Sequence, residues 1–309
     1  MKHRATARHR GQPANPVGWG AVAAGACSVL VAAVMAFGNP ALWATAQQVS
    51  AQRYAPGIDV DDYDFIDQAA GDHIETSQLA CLGSYKAISQ VDDEARATNI
   101  ALAASALDGF EIKPGETLSV NEVLGDTMLD DRYLEAPVVY GVSMQRERGG
   151  GVCQVSTALY IASLESGMDV VERHPHTIVV DYAPLGLDAT LSYGQKDLCI
   201  KNPTDASVFV HAEALGQTVE VKLFGADVRT DVELDATSRV VERLEEPAKD
   251  VYDDPAAEGF DPEDVVTRYR TEAQLVTYRE GIKESSELLS EDIYLVVIPS
   301  AEEAAHQAA

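Results

Sequence analysis

Between Arg146 and Tyr160 the chain reads RERGGGVCQVSTALY, three glycines running into Cys153, which opens a stretch with helical spacing. A helix N-terminus presents unpaired N–H groups and a partial positive charge, and both favour a thiolate over a thiol. The thiolate is the nucleophilic form, so the chemistry invited here is attack on an electrophilic carbon such as a carbonyl. Gly149, Gly150 and Gly151 free the backbone to turn sharply and let a substrate approach without a Cβ in its way. The amides of Cys153 and Gln154 are then candidate oxyanion donors. The same residues also read as a glycine turn before a packing cysteine, and local sequence leaves both readings open.

Downstream, ERHPHTIVV supplies His174 and His176. Two positions apart on a strand, they share a face, and Pro175 between them removes a ladder donor, which implies an edge or a bulge. One imidazole is a candidate general base for Cys153 and the other a candidate to orient substrate. Asp188, in GLDATLSYG, is a candidate third member that orients a histidine, and equally a turn cap. Arg173 falls on the opposite strand face, the place of a surface or ion-pair residue; with Tyr193 it is kept as a candidate substrate contact. Cys153, His174 and His176 are also zinc-ligand types, but no second cysteine pair or His-x-x-x-His accompanies them. Neither a metal nor another cofactor is expected.

These side chains need a frame. VDDEARATNIALAASALDG (Val91–Gly109) has acids in its first turn and a closing glycine, the signals of a helix. KPGE (Lys113–Glu116) is a turn, and TLSVNEVLG and EAPVVYGV read as strands or extended segments around it. After Cys153, Val155, Ala158, Leu159 and Ala162 fall on one helical face, with Gly167 as C-cap. Short strand-like runs follow: DVVERHPHTIVVDY, ATLSY, DLCIK, SVFVHAEA and TVEVKLFG. The fold predicted is α+β, a helix with Cys153 at its N-terminus packed on an antiparallel sheet. An N-terminal transmembrane helix and a small C-terminal β-rich region flank it.

The ends of the chain set its surroundings. Lys2, Arg4, Arg8 and Arg10 form a basic head, followed by the apolar run GWGAVAAGACSVLVAAVMAFG (Gly18–Gly38). That run is long enough to span a bilayer, with the basic head kept in the cytoplasm. ATA at Ala44–Ala46 has the form of a signal-peptidase site, so the bulk is either anchored by one pass or secreted after cleavage behind Ala46. The organisation predicted is a head over 1–16, an anchor or signal over 17–45 and an extracytoplasmic linker over 46–83. A main domain follows over 84–225, then an acidic β module over 226–299 and a tail over 300–309. A net charge of −27 would be repelled by phosphate backbones, so nucleic acid is not an expected partner. Outside the apolar run three cysteines remain, in a compartment that permits disulfides. If Cys153 is the free one, Cys81 and Cys199 are left as a tentative bridge.

GGGVCQVSTALY, ERHPHTIVVDYAPLGLDATLSYG, Asp197–Leu198 and KNPTD, taken in order, resemble the VanW family, as does the upstream NIALAASALDGFEIKPGETLSVNEVLG. The resemblance covers residues 84–225. Leu118 and Val120 stand where the family pattern has aromatics, and Cys199 where a polar residue is common, which favours the Cys81–Cys199 bridge. The resemblance implies an anchored or exported cell-wall protein, often carrying peptidoglycan-binding or G5 modules, and the 226–299 region resembles the G5 type. For some members it implies a cysteine L,D-transpeptidase acting on peptidoglycan stem peptides. Cys153 would then be the nucleophile and His176 or His174 the base. The alternatives are a non-catalytic module that binds peptidoglycan or glycopeptide, and a protein whose Cys153 pairs between chains.

Overall fold

The structure, a computed structural model, describes residues 79–140, 143–226, 231–253, 255 and 260–298. The basic head, the expected membrane segment with Cys27 and ATA, most of the expected linker and the 300–309 tail lie outside the described residues. Among the described residues no helix is long and apolar enough to cross a membrane.

In chain order the elements are β1 (Leu79–Ile88), α1 (Glu94–Leu107), β2 (Glu111–Ile112), β3 (Thr117–Ser119), α2 (Val120–Leu124), β4 (Glu135–Tyr140) and β5 (Ser143–Arg148). Next come α3 (Val152–Glu165), β6 (Asp169–Glu172), β7 (Cys199–Lys201), β8 (Val208–Leu215) and β9 (Thr218–Ala226). The described chain closes with β10 (Val232–Pro247), α4 (Ala248–Val251), β11 (Val265–Arg279) and β12 (Ile282–Ile298). The strands form a β1-β9-β8-β2 sheet, a β10-β11-β12 sheet, a β3-β7-β6 sheet and a β4-β5 hairpin. Every pairing between these strands is antiparallel.

The architecture is sheet-rich with few helices, as the α+β reading requires, but it is divided into several sheets rather than one meander. β1 starts inside the stretch read as linker, because Leu79–Ile88 pairs with β9 along its length. The helix predicted over Val91–Gly109 is α1, started by the Asp93 carboxylate accepting the Arg96 N–H at 2.9 Å. TLSVNEVLG is not one extended run. Thr117–Ser119 pairs with β7, and the Ser119 hydroxyl then accepts the Glu122 N–H at 3.1 Å to start α2. Ser-x-x-Glu is a capping-box signature, so that signal was present in the sequence.

The largest departure is α3. Sequence spacing gives it one apolar face, yet every side chain from Gln154 to Leu164 is buried. β1 and β9 pack on one side, α1 and β6 on others, and β10 also touches it. Gly83 makes the sheet contact possible, since a Cβ there would lie 2.6 Å from the Ala162 carbonyl oxygen. A helix buried all round must satisfy its polar side chains internally. The Ser156 hydroxyl donates to the Ala189 carbonyl at 2.7 Å, and the Thr157 hydroxyl accepts the Ala189 N–H at 3.0 Å. These bonds fasten the 187–191 loop to the turn that carries Cys153.

At the C-terminal side, the YREG turn read between strand-like runs joins β11 to β12. Glu280 and Gly281 both have positive φ, 51° and 77°, which suits a two-residue hairpin. β11 also delivers Ala273 into the main core, so this sheet packs on the rest of the described chain.

Candidate functional site

The site begins with the glycines. Gly151 takes φ +111° as the N-cap of α3, a conformation costly for a side chain. Gly150 lies so close to β4 that a Cβ would sit 2.5 Å from the Ala136 carbonyl oxygen and 2.7 Å from that of Pro137. The buried Asn99 amide donates to the carbonyls of Gly150 and Leu134, both at 2.9 Å, and its oxygen accepts the Leu134 N–H at 2.8 Å. Gly149, Gly150 and Gly151 are themselves buried, so they serve close backbone packing rather than access for substrate. Gly150→Ala is expected to cost about 1–3 kcal/mol through forced displacement. At Gly115 no atom lies within 4 Å of the built Cβ, so Gly115→Ala should cost only the backbone strain of its φ of +75°. Urea denaturation of the two variants checks the order.

Cys153 sits in the first turn of α3, half-buried, with its sulfur 3.4 Å from the Leu191 N–H and 3.8 Å from the Thr190 hydroxyl. His176 lies near enough to act on the sulfur electrostatically. The other ring nitrogen of His176, Nδ1, is 2.5 Å from Asp188 Oδ2, which also accepts the His176 backbone N–H at 2.7 Å. Imidazole and carboxylate are thus hydrogen-bonded, with the thiol within electrostatic reach of the imidazole. On the far side, Asp188 Oδ1 accepts from the Tyr294 hydroxyl and from Arg173 Nη2 at 3.2 Å.

Burial alone would push the Cys153 thiol up. The neighbouring His176 overrides it, helped by the Leu191 amide and the Thr190 hydroxyl, and holds the thiol below its ordinary value. Burial would likewise lower His176, but its hydrogen bond to Asp188 and the influence of Asp188 and Cys153 raise it to about 9. Asp188 is opposed by burial yet held below the usual carboxylate range by His176, Arg173 and Tyr294. The shifts all run toward thiolate, imidazolium and carboxylate, with the two anions flanking the cation. Such a thiolate can attack a carbonyl, and its imidazolium can give a proton to a leaving group.

Of the candidate residues, the structure brings together Cys153, His176 and Asp188. His174 is not with them: its Nε2 faces Glu172 at 2.9 Å. The shared strand face fails because the segment after β6 is irregular. Asp188 captures the His176 amide while the His174 carbonyl accepts the Thr190 N–H at 2.8 Å. Among the described residues, no three His, Cys, Asp or Glu side chains are grouped to hold a metal.

The Gln154 side chain turns inward: its NH₂ donates to the carbonyls of Ala87 and Gln217, and its oxygen accepts from the Arg96 guanidinium. Its backbone N–H is used by the Gly151 carbonyl at 3.0 Å, which removes it as an oxyanion donor. Arg173 is a buried ion-pair residue rather than a surface one, joined to Asp188 and Asp292. Tyr193 is 55% exposed. The tentative bridge does not form: Cys81 and Cys199 are both free. Cys81 lies on β1 opposite Phe224, whereas Cys199 on β7 faces Asp197 and Glu172.

Sequence reading missed Asn99, Asp292 and Tyr294. It also missed Tyr182, whose ring meets His176 edge-on at 6.4 Å with the Arg96 guanidinium 5.8 Å from its centroid.

Fold and site together define an α+β protein with a Cys–His–Asp constellation at the start of a buried helix. Residues 95–224 match the family described as VanW like protein. The uncharacterized protein YoaR of Bacillus subtilis (strain 168) is 34% identical over 166 residues, 54% of this chain and 54% of that one. The vancomycin B-type resistance protein VanW of Enterococcus faecalis (strain ATCC 700802 / V583) is 33% identical over 119 residues, 37% of this chain and 43% of that one. The chain spans about half the length of the curated relatives it matches. No solved structure matches it significantly.

Proposed function

We propose that this chain is a cell-envelope cysteine acyl transferase that acts on peptidoglycan stem peptides in the manner of an L,D-transpeptidase. The observation that carries the reading is the half-buried Cys153, its thiol lowered by the neighbouring His176, whose ring is hydrogen-bonded to Asp188. The name of the Enterococcus faecalis relative, a vancomycin-resistance protein, supports an envelope setting. In that setting the apolar Gly18–Gly38 run anchors or exports the bulk of the chain.

The Cys153 thiolate attacks the carbonyl carbon between the third and fourth stem residues. The C–N bond breaks, His176 gives its proton to the departing amine, and D-alanine leaves as a thioester forms. An acceptor amine or water then attacks the thioester, gives a proton to His176 and restores the Cys153 thiolate. Splitting the acyl transfer this way replaces one difficult step with two easier ones.

Incubation of the full chain with a tetrapeptide muropeptide is expected to release D-alanine and to leave an acyl adduct on Cys153, read by intact mass. Cys153→Ser is expected to do neither. Muropeptide binding with no adduct and no D-alanine would move the reading to a non-catalytic binding module. A Cys153-linked dimer on a non-reducing gel would move it to a structural role.

A further inference from the structure

Asp188 is held from a part of the chain that the family match, ending at residue 224, does not reach. Tyr294 on β12 is fully buried, and its hydroxyl donates to Asp188 Oδ1 while facing the Gly186 N–H at 2.9 Å and Arg173 Nη2 at 3.4 Å. Two positions earlier on the same strand face, Asp292 accepts from Arg173 Nη1 at 2.6 Å and from the Ser290 hydroxyl at 2.8 Å. The strand also holds the histidine segment, since Leu295 donates its N–H to the Thr177 carbonyl at 2.9 Å and bridges Ile178 in parallel. The loop that carries Asp188 lies directly on β11: a Cβ at Gly186 would come within 3.1 Å of the Thr271 hydroxyl.

We propose that Tyr294 is a positioning residue of the site, fixing Asp188 and through it His176, so that the C-terminal sheet is part of the catalytic apparatus. The proposal rests on the cysteine-nucleophile reading above. A tyrosine that merely filled the core would need one hydrogen-bond partner for its hydroxyl. This one meets a carboxylate, an amide and a guanidinium on the side of Asp188 away from His176. The charged and titratable groups that face Asp188 are His176, Arg173 and Tyr294, with Asp292 behind Arg173. Tyr160 lies under the guanidinium, its ring centroid 5.4 Å away. With the hydroxyl gone, the carboxylate keeps Arg173 but loses the donor that sets its angle. The His176 ring is then free to tilt away from the sulfur.

The test uses the full chain with Tyr294→Phe, which keeps the ring. The readouts are iodoacetamide rate at Cys153 against pH and the NMR signals of the His176 ring. The variant is expected to alkylate roughly tenfold more slowly at pH 6, as loss of one hydrogen bond to a charged group implies, and to shift the His176 ring signals. Ile293→Ser, at the neighbouring position that is 54% exposed, should leave the profile unmoved. If Tyr294→Phe does not fold, Asp292→Asn is expected to move the profile in the same direction. A folded Tyr294→Phe whose profile superimposes on wild type overturns the proposal, even if its melting temperature falls. An ordinary thiol profile in the wild type would sink the cysteine-nucleophile reading itself, and this proposal with it.

Discussion

In the His176→Ala variant, Cys153 is expected to alkylate on the order of 100-fold more slowly at pH 6 than in the wild-type chain, because only the thiolate reacts and an unassisted thiol is almost wholly protonated there. The sulfur is opposed by burial and rescued chiefly by His176. Removing the imidazole leaves only the Leu191 amide and the Thr190 hydroxyl to favour the anion. The sign with pH follows. His176 stays protonated up to about 9, so the difference between the proteins is greatest from mildly acid to neutral pH. It narrows in alkali, where the imidazolium loses its proton and every thiol ionises. Two internal controls accompany the measurement. Burial, opposed mainly by Lys222, pushes Cys81 up to about 11, and burial together with Asp197 pushes Cys199 up to about 12. Both should stay slow at neutral pH and ignore the change at His176.

Asp188→Asn is expected to damage both stability and chemistry. The carboxylate accepts from the His176 amide, the His176 ring, Tyr294 and Arg173, and both its partner charges are buried. An amide offers one acceptor oxygen and turns an N–H₂ toward groups that are themselves donors. Of its two counter-charges, the guanidinium keeps only Asp292. Breaking a buried ion pair from one side costs about 3–5 kcal/mol. Under the proposed acyl transfer, turnover should fall by roughly 10²–10⁴, because the imidazole loses the partner that sets its tautomer and angle. The folded-state carboxyl is depressed, so its contribution to stability is complete above the ordinary carboxylate range and is lost as pH falls through the depressed value. The variant should therefore be much less stable than wild type at pH 7, and the gap should close in strong acid. Urea denaturation at both pH values checks this.

How much of this was legible depended on whether a signal was local. The helix starting at Cys153, the α1 helix and the YREG hairpin each rest on caps and turns a few residues long, and each formed. The pairing of Cys153 with a histidine was legible as a class, but the choice between His174 and His176 was not. A strand argument assigns both to one face, whereas the backbone there is bent by bonds to Asp188 and from Thr190 that no periodicity encodes. Burial of α3 on all sides was hidden because it depends on β10 and on the close approach at Gly83. Tyr294 was invisible for the same reason. It reads as an apolar strand residue until β12 is laid against the loop at Asp188, far away in sequence.

The central claim is that Cys153 exists as a thiolate paired to His176. The most direct measurement is the alkylation rate of Cys153 across pH in the wild-type chain, followed by peptide mass. The account predicts a rate already high near pH 6, with a limb below the ordinary thiol range that His176→Ala abolishes. A single limb with its midpoint near about 8.5, unchanged by that substitution, would contradict it.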